Sequence, residues 1–221
     1  MNDLTVVYYT SNREDPRFEG RIQRSLVHNT RGLPLISVSQ KPMNFGKNIC
    51  VGDVGVTGHN ALRQMQIGAM EADTKFVCTA ESDFIHPREF FKFRPESDDI
   101  FCMAMPLYVL FTTPGKGFKF CPKPHGSEGA MIVGREFLID KMNEMFSGRD
   151  KWIKQDIARR KHSLKYLYTH GKSMEFQLPI PVITFKTPNN MHRRTPHSDR
   201  LGVRELPYWG KAIDLIRRYR A

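Results

Sequence analysis

The run Phe76-Val-Cys-Thr-Ala80 leads directly into Glu81-Ser82-Asp83, and this junction constrains the chain more than any other feature. A short apolar run with β-branched and aromatic residues, here Lys75 to Ala80, reads as a buried strand. Its exposed end then carries two carboxylates at i and i+2, which a strand directs to the same face. In open α/β sheets, ligands bind at the carboxyl ends of strands. Two like charges held there repel unless a proton or a cation intervenes. Mg²⁺ or Mn²⁺ carrying a diphosphate meets that need, because these ions prefer oxygen ligands. The same residues also fit a simpler role as the cap of a helix started by Pro87, since Asp is a favoured N-cap and Pro a favoured first helical residue.

The segments around this junction fit an α/β sheet. Leu4 to Tyr9 reads as a buried strand ended by Thr10-Ser11-Asn12. A helix follows from about Pro16 to His28, with Phe18, Ile22 and Leu26 on one face, and then a strand from Leu35 to Val38. Strand–helix–strand is the opening of a parallel α/β sheet. Gln40 to Val56 reads as a long loop, of the kind that is often functional. A helix is expected from Gly58 to Ala72, with Leu62, Met65, Ala69 and Ala72 as its apolar stripe. Further strands are expected at Ile100–Met105, Tyr108–Thr112, Ala130–Val133 and Ile180–Phe185, with a turn at Gly115–Gly117. Helices are expected at Arg135–Phe146, Asp150–Tyr166 and from Trp209 onward.

At 221 residues the chain suits one α/β domain, or one domain with a C-terminal extension. Its four cysteines form no C-x-x-C pair, which argues against a structural zinc site and for a reducing, cytoplasmic setting. Met1 to Tyr9 lacks a signal-peptide pattern, and no apolar run approaches the roughly 20 residues of a membrane span.

Several segments together resemble the GT-A glycosyltransferases. They are Glu81-Ser82-Asp83 as the D-x-D motif, Gly55-Val-Thr-Gly58-His-Asn60-Ala-Leu-Arg63 before it, the strand ending in Thr10-Ser11-Asn12, and Gly126-Ser-Glu128-Gly129-Ala-Met-Ile-Val133. The resemblance covers about residues 4 to 140 and rests on the order and spacing of loose motifs. It implies an α/β, Rossmann-like GT-A fold with a mixed, mostly parallel sheet flanked by helices. It further implies a catalytic domain over 1–185 and a basic extension over 186–221 that completes the donor site. The donor would be a nucleotide-sugar, a UDP-sugar, used with Mn²⁺ or Mg²⁺. Asp83 would coordinate the metal, Glu81 the metal or the ribose, and Thr10, Ser11 and Asn12 the nucleoside, while Asn60 and Arg63 would face the nucleotide. The family often adds a C-terminal His ligand, for which His197 is the first choice and His192 the second. If the anomeric configuration inverts, a carboxylate must take the acceptor proton. Glu128 is the leading candidate, ahead of His125 and Asp156.

The formal charge is +11, from 34 Lys and Arg against 23 Asp and Glu. An excess of that size suits a phosphate backbone, an anionic membrane or an acidic glycan. From Lys186 onward there are nine basic residues against three acidic ones. Lys151 to Lys172 adds seven more, among them Arg159, Arg160 and Lys161, interleaved with Trp152, Tyr166 and Tyr168. Such aromatics can stack on bases. The profile fits a glycosyltransferase acting on hydroxymethylated pyrimidines in bacteriophage DNA. Alternatives are a surface-glycan enzyme whose Trp209–Arg220 helix lies on an anionic membrane, and a metal-dependent nuclease or phosphotransferase.

Overall fold

The computed structural model describes residues 3–112, 117–154, 171–190, 201–219 and 221. Strand β1 (Leu4–Thr10) is buried along its whole length, the signature of a strand covered on both faces. It pairs in parallel with β2 (Leu35–Ser39) on one side and β4 (Phe76–Glu81) on the other. β3 (Lys47–Cys50) extends the parallel half beyond β2. The remaining strands of the sheet are β5 (Phe84–Ile85), β6 (Ile100–Phe111), β7 (Phe120–Pro122), β8 (Met131–Gly134) and β9 (Lys172–Lys186). The order is β3-β2-β1-β4-β8-β6-β9-β5, with β7 added to β6. β8 runs antiparallel to both β4 and β6, whereas β6 and β9 are parallel. The result is a mixed sheet, parallel through its first half.

Helix α1 (Pro16–Thr30) begins where the sequence provides a start. Asp15 caps it by accepting from the backbone N–H groups of Arg17 and Phe18, and Pro16 occupies the first turn. Helix α2 (Gly58–Glu71) is capped by Thr57, whose hydroxyl accepts from Asn60 N. It lies close on β1: a Cβ added at Gly68 would sit 2.3 Å from a Val7 methyl, so only glycine permits this approach. Helix α3 (Arg135–Phe146) packs beside α2. Helix α4 (Ala212–Tyr219) follows a short hairpin of β10 (Glu205–Leu206) and β11 (Gly210–Lys211).

The structure departs from the sequence expectations in several places, including the unexpected short strands β5, β7, β10 and β11. The Gln40–Val56 loop contains β3, fixed to β2 where Asn48 donates to Ser37 Oγ and Ser39 Oγ at 2.9 Å each; it is a half-exposed edge strand without apolar alternation. The two strands expected on either side of Pro106 are one strand, with a register shift between Met105 and Leu107 where proline lacks an N–H. β9 starts eight residues before the expected Ile180, with only Phe176 and Leu178 buried in its polar first half. Residues 150–154 are irregular, and the rest of the helix expected there, with Arg159, Arg160, Lys161, Tyr166 and Tyr168, lies outside the described residues, as do residues 113–116 of the expected turn. Finally, α4 cannot lie on a membrane with its apolar face. Ala212, Leu215, Ile216 and Tyr219 are buried in one cluster with Phe18 and Ile22 of α1 and Ile183 and Phe185 of β9. The end of the chain is thus built into the main body. No helix among the described residues is long and apolar enough to cross a membrane.

Candidate functional site

The carboxyl ends of β1, β2 and β4 and the first turn of α2 line a cleft that is partly open to solvent, with an enclosed volume of about 60 Å³. Thr10, Ser11, Asn60, Glu81 and Asp83, all expected site residues, line it together with Glu14, Gln40, Gln64 and Asn190. The wall is held by neutral donors. Gln64 Nε2 donates to Thr10 O at 2.8 Å and to Val38 O at 2.9 Å, tying β1 to β2 at their ends. Asn12, in a left-handed conformation, accepts from the backbone N–H groups of Gln40 and Lys41 at 2.9 and 2.8 Å. Its side-chain oxygen therefore shapes the wall.

Three acids converge in the cleft. Tyr9 and Glu81 are register partners on β1 and β4, and the Tyr9 hydroxyl donates to Glu81 Oε2 at 3.3 Å. Asn190, just after β9, donates through Nδ2 to Asp83 Oδ2 at 2.7 Å and to Glu14 Oε1 at 3.3 Å. The Thr187 hydroxyl lies 2.9 and 2.8 Å from the two Glu14 oxygens. Asp83 Oδ1 is buried without a hydrogen-bond partner among the described residues. Burial pushes all three carboxyls up. Glu14 reaches about 7 despite its Thr187 bond, with the charge of Asp83 adding to the rise. Asp83 reaches about 6, restrained by the Asn190 bond and the charge of Lys186. Glu81 rises well above the carboxylate range, first through burial and then through the charges of Asp83 and Glu128. Burial lowers Lys186 in turn.

The donor set fits a divalent cation on these observations. Asp83 presents one orphaned oxygen beside a second carboxylate. No group of three or more His, Cys, Asp or Glu side chains among the described residues could hold a metal by itself. Two carboxylates with substrate phosphates and water completing the shell is a usual arrangement for Mg²⁺, so the residues fit an ion that arrives with a diphosphate.

The other expected residues fall in different places. Asn60 lines the cleft, but its amide is occupied: Nδ2 donates to Val54 O, Gly55 O and Ile153 O, and Oδ1 accepts from Ile153 N. It clamps the entry to α2 onto residue 153. Arg63 does not line the cleft; its guanidinium lies 3.6 Å from the centre of the Phe146 ring and bonds Gln66. Glu128 sits on a 3-10 turn (Glu128–Ala130), held over β4 by the Thr79 hydroxyl bonding its carbonyl, and is near enough for its charge to raise Glu81 and Tyr9. His125 is exposed. His192, His197 and Asp156 lie outside the described residues.

Sequence reasoning missed Glu14, Gln40, Gln64, Thr187, Lys186 and Asn190. Glu14 had a signal, an acid in the turn that ends the first buried strand. Asn190 had none, because its role depends on where the 15-residue β9 delivers it.

Fold and cleft together define a GT-A-like α/β protein with an acidic cleft at the ends of its parallel strands. No protein-family model matches the chain, and no curated protein matches it in sequence. Among solved structures it is similar to S. aureus TarS 1–349 in complex with UDP-GlcNAc, with a TM-score of 0.53 at 12% identity, covering 90% of this chain and 61% of that one. TarS 1–349 in complex with UDP gives a TM-score of 0.51 at 11% identity, covering 85% and 61%. The glycosyltransferase GlyE of Streptococcus pneumoniae TIGR4 gives 0.48 at 11% identity, covering 79% and 45%. The chain thus spans about three-fifths of the TarS chain it matches, and what the two share is the fold.

Proposed function

We propose that this chain is a glycosyltransferase that takes a UDP-sugar with Mn²⁺ or Mg²⁺ and transfers the sugar to a hydroxymethylated pyrimidine in double-stranded DNA. The observation that carries the donor half is Asp83. One of its oxygens is held by Asn190, and the other is buried without a hydrogen-bond partner among the described residues, in the cleft that Glu81 also lines. The fold adds support, since TarS has been solved with UDP-GlcNAc and with UDP.

In this reading Thr10, Ser11 and the wall fixed by Asn12 receive the nucleoside. Glu81 and Asp83 would hold the cation, with His197, or failing that His192, as the further ligand. A bound divalent ion would offset the charge that develops on the leaving diphosphate. Glu128, near enough for its charge to act on Glu81, takes the acceptor proton if configuration inverts. Transfer to a base would require the nucleotide to leave the stack. The excess positive charge supports a polyanionic acceptor. Such chemistry belongs in the cytoplasm, that of the host if the chain is phage-encoded.

The test incubates the protein, Mn²⁺ and a panel of UDP-sugars with hydroxymethylcytosine-containing DNA, then digests the DNA and weighs the nucleosides. A hexose or pentose mass gain that disappears with EDTA is expected. Metal-dependent donor hydrolysis with transfer to a glycan instead would remove DNA and leave the glycosyltransferase reading. No turnover of any nucleotide-sugar would remove both.

A further inference from the structure

The exposed face of α1 carries a line of positive charge that donor binding does not use. Within the helix, Arg17, Arg21, Arg24 and His28 follow each other at intervals of four, three and four residues. That spacing keeps them on one stripe, about 16 Å long at 1.5 Å per residue. Arg13 and Arg31 flank the stripe at its two ends, and the core residues Phe18, Ile22 and Leu26 occupy the opposite side. Arg218 of α4 joins from the side, where its carbonyl accepts from Arg21 at 2.5 Å.

A solvated helix face ordinarily mixes signs. This one does not: the acids of the region are Asp15, used as the cap, Glu14, facing the cleft, and Glu19, buried and bonded to Tyr8. None of the ion pairs among the described residues involves Arg13, Arg17, Arg24 or Arg31. Like charges at i,i+3 and i,i+4 destabilise a helix by about 0.2–0.5 kcal/mol per pair, and Arg17 also opposes the helix dipole at its N-terminal end. The arrangement therefore costs stability unless something anionic lies on it.

We propose that this face of α1, with Arg218 beside it, is the docking surface for the phosphate backbone of double-stranded DNA. The proposal rests on the DNA-acceptor reading above. Arginine forks match phosphate oxygens geometrically, and a rigid line of cations on a helix meets a rigid line of anions with little ordering of either partner. A lipid surface fits less well, because Val27 is the one large exposed apolar residue on α1 and the apolar face of α4 is buried. The stripe is also continuous with the chemistry. Arg13 stands between Ser11 and Glu14, both cleft-lining, so a duplex along α1 arrives at the mouth of the cleft.

Fluorescence anisotropy with an unmodified 20-base-pair duplex, titrated at several salt concentrations without donor, tests this. R17Q/R24Q removes two phosphate contacts. The log–log salt slope should shallow by about 1.8, and at 0.1 M salt the dissociation constant should rise roughly 60-fold from counterion release alone. K75Q, remote from the cleft, should bind as wild type. R17Q/R24Q should melt no lower than wild type, since it relieves repulsion. A wild-type slope for R17Q/R24Q overturns the docking face while leaving the DNA reading intact. Wild-type protein that ignores the duplex and binds phosphatidylserine vesicles or a polyglycerol-phosphate chain overturns both.

Discussion

Replacing Asp83 by asparagine separates stability from function in a way that only a charge-strained site allows. Burial holds the Asp83 carboxyl at about 6 instead of 3.8, against the lowering effect of the Asn190 bond and of Lys186 and Lys123. A rise of about two units disfavours the charged form by on the order of 3 kcal/mol. The sign follows from proton binding. The folded state holds the proton to higher pH than the unfolded chain, so this stability is present below about pH 4 and is lost as pH climbs through about 6. The asparagine side chain is isosteric and uncharged. Its oxygen can still accept from Asn190, and its amide replaces the orphaned Oδ1, where an unsatisfied donor costs about 1 kcal/mol or more. The expected net effect is a gain of about 1–2 kcal/mol for D83N at pH 8 without metal, shrinking to nothing or reversing at pH 4. Urea denaturation at both pH values measures it. Mn²⁺ with UDP at 100 times its dissociation constant should add about 2.7 kcal/mol to wild type and little to D83N. A D83N protein less stable than wild type at pH 8, yet equally stabilised by Mn²⁺ and UDP, would refute the reasoning.

E128Q should reduce sugar transfer by about 10²–10⁴-fold with UDP-sugar affinity unchanged, as loss of a general base requires; single-turnover transfer alongside donor titration checks it. N60A removes a clamp of four hydrogen bonds to buried and part-buried backbone and should lower unfolding free energy by about 2–4 kcal/mol, visible as a fall in Tm without donor. His197→Ala should weaken donor binding or turnover more than His192→Ala, measured as kcat/KM with a UDP-sugar; equal wild-type values would give the tail another role.

The parallel half of the sheet was legible because β1, β2 and β4 are continuous apolar runs closed by polar residues, and α1 and α2 carry both a cap and a stripe. What escaped has a common cause. β3, the first half of β9 and the β10–β11 hairpin are edge or half-exposed segments whose pairing comes from partners, and Pro106 looked like a boundary inside a strand that runs through it. At the site, Glu81 and Asp83 both line the cleft as expected, but β4 ends at Glu81 and a turn, not the strand's alternation, delivers Asp83. Asn60 and Arg63 sit in the expected segment, but α2 turns the first into a clamp and carries the second onto Phe146. Asn190 reaches Asp83 across 107 positions of sequence, a contact that local pattern cannot encode.

The partners of the buried acids bear on what the cleft is for. A carboxylate buried for structural reasons is usually paired with a cation, since an unpaired buried charge is costly. Here Glu14, Glu81 and Asp83 instead meet a threonine hydroxyl, a tyrosine hydroxyl and an asparagine amide, and none forms an ion pair among the described residues. Neutral donors fix where the oxygens point without cancelling their charge. Lys186 is near enough to lower Asp83, yet burial weakens its own positive charge. The fold therefore carries an oriented negative charge that its described residues do not neutralise, at the mouth of a cleft, and the stability it forgoes there is recovered only when a proton or a cation arrives. A proton suffices near pH 5, about one unit below the Asp83 value of about 6. At neutral pH and above a divalent ion becomes the better partner, and that is the condition under which a diphosphate would be drawn in with it.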